Sequence, residues 1–223
     1  MSKYFCLFLL ALGTIGAMAG EESAKKDASH PALLDPSKAN ETAPAEYRVK
    51  FETTKGDFLI DVKREWAPVA ADRFYNMVKI GYFNEVPFYR VVEGFVAQFG
   101  FTGDPAINKV WTDNFMDDDP VKHPNEAGTL VFANRGGPRT RTNQFFINLV
   151  DNTQGNRVNL DPMGFAPFGI IVGDGMTVVK SLYSGYGERG PNQHLLKTRG
   201  NKYAKASFPN LDYIKSATLV SGD

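Results

Sequence analysis

Cysteine is almost absent from this chain of 223 residues: Cys6 is the single one, and it stands inside an apolar N-terminal run. Disulfides and cysteine nucleophiles are therefore excluded downstream, and any folded part must be held by its core alone. Histidine is scarce as well. His30, His123 and His194 are far apart and show no metal-ligand spacing, so no metal site built on them is expected. Net charge is missing too, because 25 Lys and Arg balance 25 Asp and Glu. No global field draws the chain to nucleic acid or anionic lipid. Beyond the N-terminus no apolar run reaches the length of a membrane span, so stable membrane insertion is not expected. Asp117-Asp118-Asp119 lacks the glycine and distal glutamate of a calcium loop and reads as a solvated acidic turn. The glycines from Gly185 to Gly190 do not sit between a strand and a helix, which argues against a phosphate loop.

The N-terminus itself has the pattern of an export signal. Lys3 supplies positive charge, Tyr4 to Met18 is mostly apolar, and Ala17-Met18-Ala19 offers a small-residue cleavage site. Residues 1–19 are predicted to be a signal peptide, giving an exported product, periplasmic or secreted. Residues 20–46 are rich in Glu, Lys, Ala, Ser and Pro and are predicted to be a disordered linker, since they offer little apolar surface to offset ordering entropy.

From Tyr47 the pattern changes. Tyr47, Val49 and Phe51 alternate with charged residues, and Phe58, Ile60 and Val62 resume the alternation after Lys55-Gly56, which predicts a β-hairpin. Pro68 opens a helical stretch with Ala71, Phe74 and Val78 on one face, ended by Gly81. Short strands are predicted over Phe88 to Val92, Phe95 to Phe99, Thr129 to Ala133, Phe145 to Leu149, Phe168 to Val172 and Tyr213 to Val220, with a second helix over Met176 to Tyr183. The fold class is mainly β: many short strands with few helices suggest a barrel or a sandwich, and closure would remove exposed sheet edges. Residues 184–212 read as a long loop with at most one helical turn.

Three constellations carry the chemistry. Phe88-Tyr89-Arg90-Val91-Val92-Glu93-Gly94-Phe95-Val96-Ala97-Gln98 puts an arginine on one strand and a glutamine on the next. Gly128-Thr129-Leu130-Val131-Phe132-Ala133-Asn134 is followed by Asn143-Gln144-Phe145-Phe146-Ile147, and Leu160-Asp161 by Phe168-Gly169. In this order and spacing they resemble the signature segments of the cyclophilin-type peptidyl-prolyl isomerases, over roughly Tyr47 to Val220, which implies a closed antiparallel β-barrel of about eight strands with two flanking helices over 47–223.

That resemblance implies a catalyst of rotation about X–Pro bonds that needs no cofactor and acts, as a monomer, on proline-containing polypeptides. Arg90 would be the catalytic guanidinium, and Gln98 would hold Arg90 or the substrate carbonyl. Phe95, Val96, Phe132, Phe146, Leu160 and Phe165 would form an apolar pocket for the proline ring. Ala133 and Asn134 would offer backbone groups to the extended peptide, and Gln144 would line the adjacent surface. Phe145 and Phe146 must point to opposite faces of their strand, and motif position selects Phe146 for the pocket. Many members have histidine where this chain has Tyr89, and another between the Leu-Asp and Phe-Gly segments, where Phe165 stands nearest. Asn159 replaces the tryptophan of the cyclosporin-sensitive members, which implies weak cyclosporin binding. A proline-binding module with little turnover is the alternative function, and an unrelated structural barrel a third.

Overall fold

A computed structural model describes Met1, residues 30–154 and residues 158–220. Apart from Met1, the predicted signal peptide lies outside these residues, as do residues 20–29 of the predicted linker. The strands are β1 (Glu46–Thr53), β2 (Gly56–Lys63), β3 (Val86–Val91), β4 (Val96–Phe99), β5 (Thr129–Phe132), β6 (Phe145–Asn148), β7 (Pro167–Val172) and β8 (Tyr213–Val220). They close into an antiparallel barrel in the order β1-β2-β7-β5-β6-β4-β3-β8. Closure leaves no free sheet edge, and all ladders are antiparallel.

Strand alternation fills the barrel with aromatic rings. Phe51, Phe58, Phe88, Phe99, Phe132, Phe145 and Phe168 are all buried in one cluster. Phe145 lies 4.2 Å from Phe132 and 5.4 Å from Phe99, centroid to centroid. Helix α1 (Pro68–Lys79) closes one end by placing Phe74 against Phe51, Phe145 and Phe168. Its first-turn N–H groups, at Val69 and Ala70, donate to the Asp119 carboxylate. An acid at a helix N-terminus satisfies donors that have no intrahelical partner. Asp119 is thus a buried cap rather than part of a solvated turn, and burial raises its pKa above the usual carboxylate value. Among the described residues no cluster of His, Cys, Asp or Glu could hold a metal ion, and no helix is long and apolar enough to cross a membrane.

Two further expectations need correction. The described part of the predicted linker, 30–46, is ordered against the barrel. Ala32 and Leu33 are buried, Trp111 Nε1 donates to the Leu33 carbonyl at 3.0 Å, and Asn76 exchanges two hydrogen bonds with the Glu41 backbone. Composition undervalued this segment because its partners are polar groups of Asn76 and Trp111 and a few apolar contacts, none visible locally.

The second correction concerns helix number. Four α-helices are present among the described residues, adding α2 (Pro105–Trp111) and α4 (Gln193–Ser207) to α1 and α3 (Gly175–Lys180). The stretch 184–212 is therefore no long loop. Helix α4 buries Leu196, Gly200 and Ala204, one residue per turn, and bends at Gly200 where the backbone passes the Gly103 carbonyl. So narrow an apolar stripe, on a polar and basic segment, gives little periodic signal.

Candidate active site

The candidate site lies on the outer wall of the barrel, where β3, β4, β6 and β5 stand side by side. Ladder register makes Arg90 on β3 the partner of Gln98 on β4, Gln98 the partner of Phe146 on β6, and Phe146 the partner of Val131 on β5. One row of cross-strand neighbours thus runs from a guanidinium through an amide to an apolar floor. Val96, Val131, Phe146 and Leu160 form a separate buried cluster, with Phe95, Ala133 and Phe165 packed on it. Phe165 meets Phe146 edge-on at 5.5 Å.

Arg90 is held on three sides. Its Nη1 donates to Gln98 Oε1 at 3.1 Å, and its Nε and Nη2 donate to the two Glu188 carboxylate oxygens at 2.7 and 2.8 Å. The guanidinium carbon lies 5.6 Å from the Phe95 ring centroid, a cation–π contact. Gln98 Oε1 is thus one of the acceptors that hold the Arg90 guanidinium.

Phe132 was expected in the pocket and is not there. Its ring is inside the barrel, between Phe145 and Phe168. Strand alternation gives the outward position to Val131, which sequence reasoning missed and which counting by twos along β5 would have found. The Ala133 N–H is also unavailable to a peptide, because it donates to the Gln144 carbonyl at 2.9 Å. Asn134 Oδ1 accepts from the Gly136 N–H.

Tyr89 sits at a register shift in the β3–β4 ladder, and its side chain packs toward α4. Its ring packs 5.4 Å from Phe101 in a second cluster that includes Leu196 and Ala204 of α4, and burial drives the phenol pKa upward. Its hydroxyl donates to Gln144 Oε1 at 2.9 Å. The tyrosine therefore belongs with the added helix rather than with the groove. Beside the groove, Gln98, Ala133, Asn134, Thr142 and Gln144 share a cavity of about 340 Å³ with His194 and Lys197 of α4.

A buried amide network fixes both banks of the groove, and nothing in the motifs announced it. Asn148 Nδ2 donates to Asn125 Oδ1 and Thr129 Oγ1, and Asn152 Nδ2 donates to Asn148 Oδ1 and the Phe95 carbonyl. Asn125 in turn donates to Asp161 and to the Phe165 carbonyl. Phe95 on one bank and Leu160 to Phe165 on the other are thus tied to the same strand. Arg141 adds bonds to Asp118 and the Gly164 carbonyl.

Comparison with known proteins gives a consistent match. The family model for cyclophilin-type peptidyl-prolyl cis-trans isomerases covers residues 48–198. Peptidyl-prolyl cis-trans isomerase B of Escherichia coli is 33% identical over 142 residues, spanning 60% of this chain and 82% of that protein. A peptidyl-prolyl cis-trans isomerase of Acinetobacter baylyi is 31% identical over 140 residues, spanning 63% and 73%. Among solved structures, a cyclophilin from Hirschia baltica aligns with TM-score 0.55 at 20% identity, over 85% of this chain and 80% of that one. A cyclophilin-type isomerase from Cryptosporidium parvum aligns with TM-score 0.52 at 21% identity, over 80% and 99%. At such identities the structural likeness speaks for the fold.

Proposed function

The chain belongs to the cyclophilin-type peptidyl-prolyl cis-trans isomerases and is an enzyme of that activity, and from that premise we propose that Arg90 is its catalytic group. The carrying observation is the guanidinium set across the ladder from Gln98, at the end of an apolar wall made by Val96, Val131, Phe146 and Leu160. A peptide bond resists rotation because nitrogen shares its lone pair with the carbonyl, a barrier of about 18–20 kcal/mol. Nothing has to be broken or transferred. An enzyme lowers that barrier by favouring the twisted state, in which the lone pair is localised on the prolyl nitrogen.

An arginine N–H aimed at that nitrogen binds the twisted state better than the planar ones, and the planar fork can engage a substrate carbonyl as well. The apolar wall, with Phe165 and Phe95 at its rim, takes the proline ring, fixes its position and keeps screening water from the guanidinium. Gln98 orients the catalyst. Gln144 and Asn134 line the cavity that receives residues before the proline. Substrates are proline-containing polypeptides bound by a monomer without nucleic acid. The apolar N-terminal segment, with its small-residue cleavage site, supports action on exported chains in the periplasm or outside the cell, where it assists their folding.

An exchange assay on a short Xaa-Pro peptide, comparing wild type with Arg90→Ala, tests the assignment. Turnover is expected to collapse while peptide binding persists. Equal rates would remove Arg90 from the reaction, and binding without turnover in wild type would mark a holding module instead.

A further inference from the structure

We infer that Glu188 is a positioning residue for the isomerisation, reaching Arg90 from a strap that this chain builds between α3 and α4. The inference rests on Arg90 acting on the substrate. Glu188 sits in a short 3-10 turn, Gly187–Arg189, 98 residues beyond the arginine it holds. Its two carboxylate oxygens take the side edge of the guanidinium, Nε and Nη2, while Gln98 takes one proton of Nη1. Three of five N–H groups are so engaged, leaving an N–H on each terminal nitrogen for the substrate. A two-point clamp fixes the plane of the fork, where a single bond would let it swing about the Nη1 contact. Glu188 therefore orients the catalyst without occupying the edge that works.

The strap itself is built for this approach. At Gly190 a Cβ would lie 2.6 Å from the Tyr89 carbonyl oxygen, so only glycine lets the chain cross β3 this closely, one residue from Arg90. Ser184 Oγ donates to Glu93 at 2.6 Å, anchoring the strap to the turn after β3. Tyr186 packs against Phe208 at 5.0 Å and accepts a bond from the Asn210 N–H, anchoring it on the other side. The clamp remains open to solvent, with the Glu188 side chain 54% exposed and Arg90 24% exposed. Its strength should therefore fall as salt rises.

The test is steady-state and line-shape kinetics on one Xaa-Pro peptide for wild type, Glu188→Gln, Glu188→Ala, Gly190→Ala and Arg90→Ala. For Glu188→Ala, kcat is expected to fall about fivefold, the size of an exposed ion pair at the top of its range, with KM within about twofold. Glu188→Gln keeps one acceptor and should fall in between. Gly190→Ala displaces the strap and should match Glu188→Ala, and the double variant should lose no more than either. Raising salt should lower kcat of wild type toward that of Glu188→Ala and leave the variant unchanged.

A kcat for Glu188→Ala equal to or above wild type would overturn the inference, since the carboxylate would then compete with substrate. An unchanged kcat with raised KM would also overturn it, by making Glu188 a substrate contact. Arg90→Ala with full turnover would instead sink the catalytic assignment beneath it. Should Gly190→Ala fail to fold, the Glu188 series and its salt dependence decide alone.

Discussion

The inner and outer faces of the wall formed by β4, β6 and β5 are made from alternate residues of the same strands, yet they obey different rules. Inside, Phe99, Phe145 and Phe132 are enclosed by other rings on every side. Outside, Gln98, Phe146 and Val131 form a row that ends at a charged group from β3. The inner face is finished by the fold, so its atoms already have partners. The outer face is covered by loop residues such as Leu160, Phe165 and Phe95, and its row ends at a charged group that stays partly exposed. What separates the two is the completeness of the surroundings, since phenylalanine serves on both.

Substitutions at adjacent residues sharpen this contrast. Phe145→Ala should destabilise the protein by about 3–5 kcal/mol in denaturant unfolding, because the ring cluster cannot collapse into the void. Phe146→Ala should cost less than half of that and raise KM several-fold. Equal stability losses would erase the distinction between the faces. Arg90→Ala should lower kcat/KM by roughly 10²–10³-fold, the scale of losing one preorganised donor. Its unfolding free energy should change by no more than about 1 kcal/mol, as befits an exposed ion pair. A large stability loss there would make Arg90 a structural residue.

Asn148→Ala breaks the amide network behind both banks. Leaving Asn125 and Asn152 without that partner should cost about 1–3 kcal/mol. Peptide affinity should weaken with it, since Phe95 and Phe165 hang from the same bonds. Affinity unchanged at reduced stability would show that the banks hold themselves.

The smallest effect is expected away from the groove, at His123. This ring stacks on Trp66 at 3.6 Å, and its Nε2 is buried with no hydrogen-bond partner among the described residues. Burial lowers its pKa below the ordinary 6.5, so the unfolded chain binds the proton more readily than the folded one. Stability contributed by the neutral ring is complete above pH 6.5 and declines as pH falls below that value. His123→Phe should flatten thermal stability across that acidic window. An unaltered pH profile would show that the ring titrates freely when folded.

Most of the barrel was legible because strand alternation is a local signal that repeats along each element, and the same signal separates Phe145 from Phe146. It failed at Phe132, where family position was allowed to outweigh alternation. It also failed over 30–46 and 193–207, where few apolar residues do the work and polar partners lie far away in sequence. Tyr89 is a related case. Beside Arg90 it reads as a departure from the family's histidine, but in the fold it answers to the helix packed behind it.

By itself the sequence determined the strands and the mainly β class, because period-two patterning is local, while closure of the barrel and a role for Gln98 beside Arg90 were implied by the resemblance of its motifs. Only the tertiary structure decided that Val131 faces the groove, that an asparagine network ties its banks, and that Glu188 grips Arg90. Those contacts join residues up to 98 positions apart, and a carboxylate in an irregular turn carries no periodicity to mark its target. Chain closure brings them together, and local pattern does not encode where closure ends.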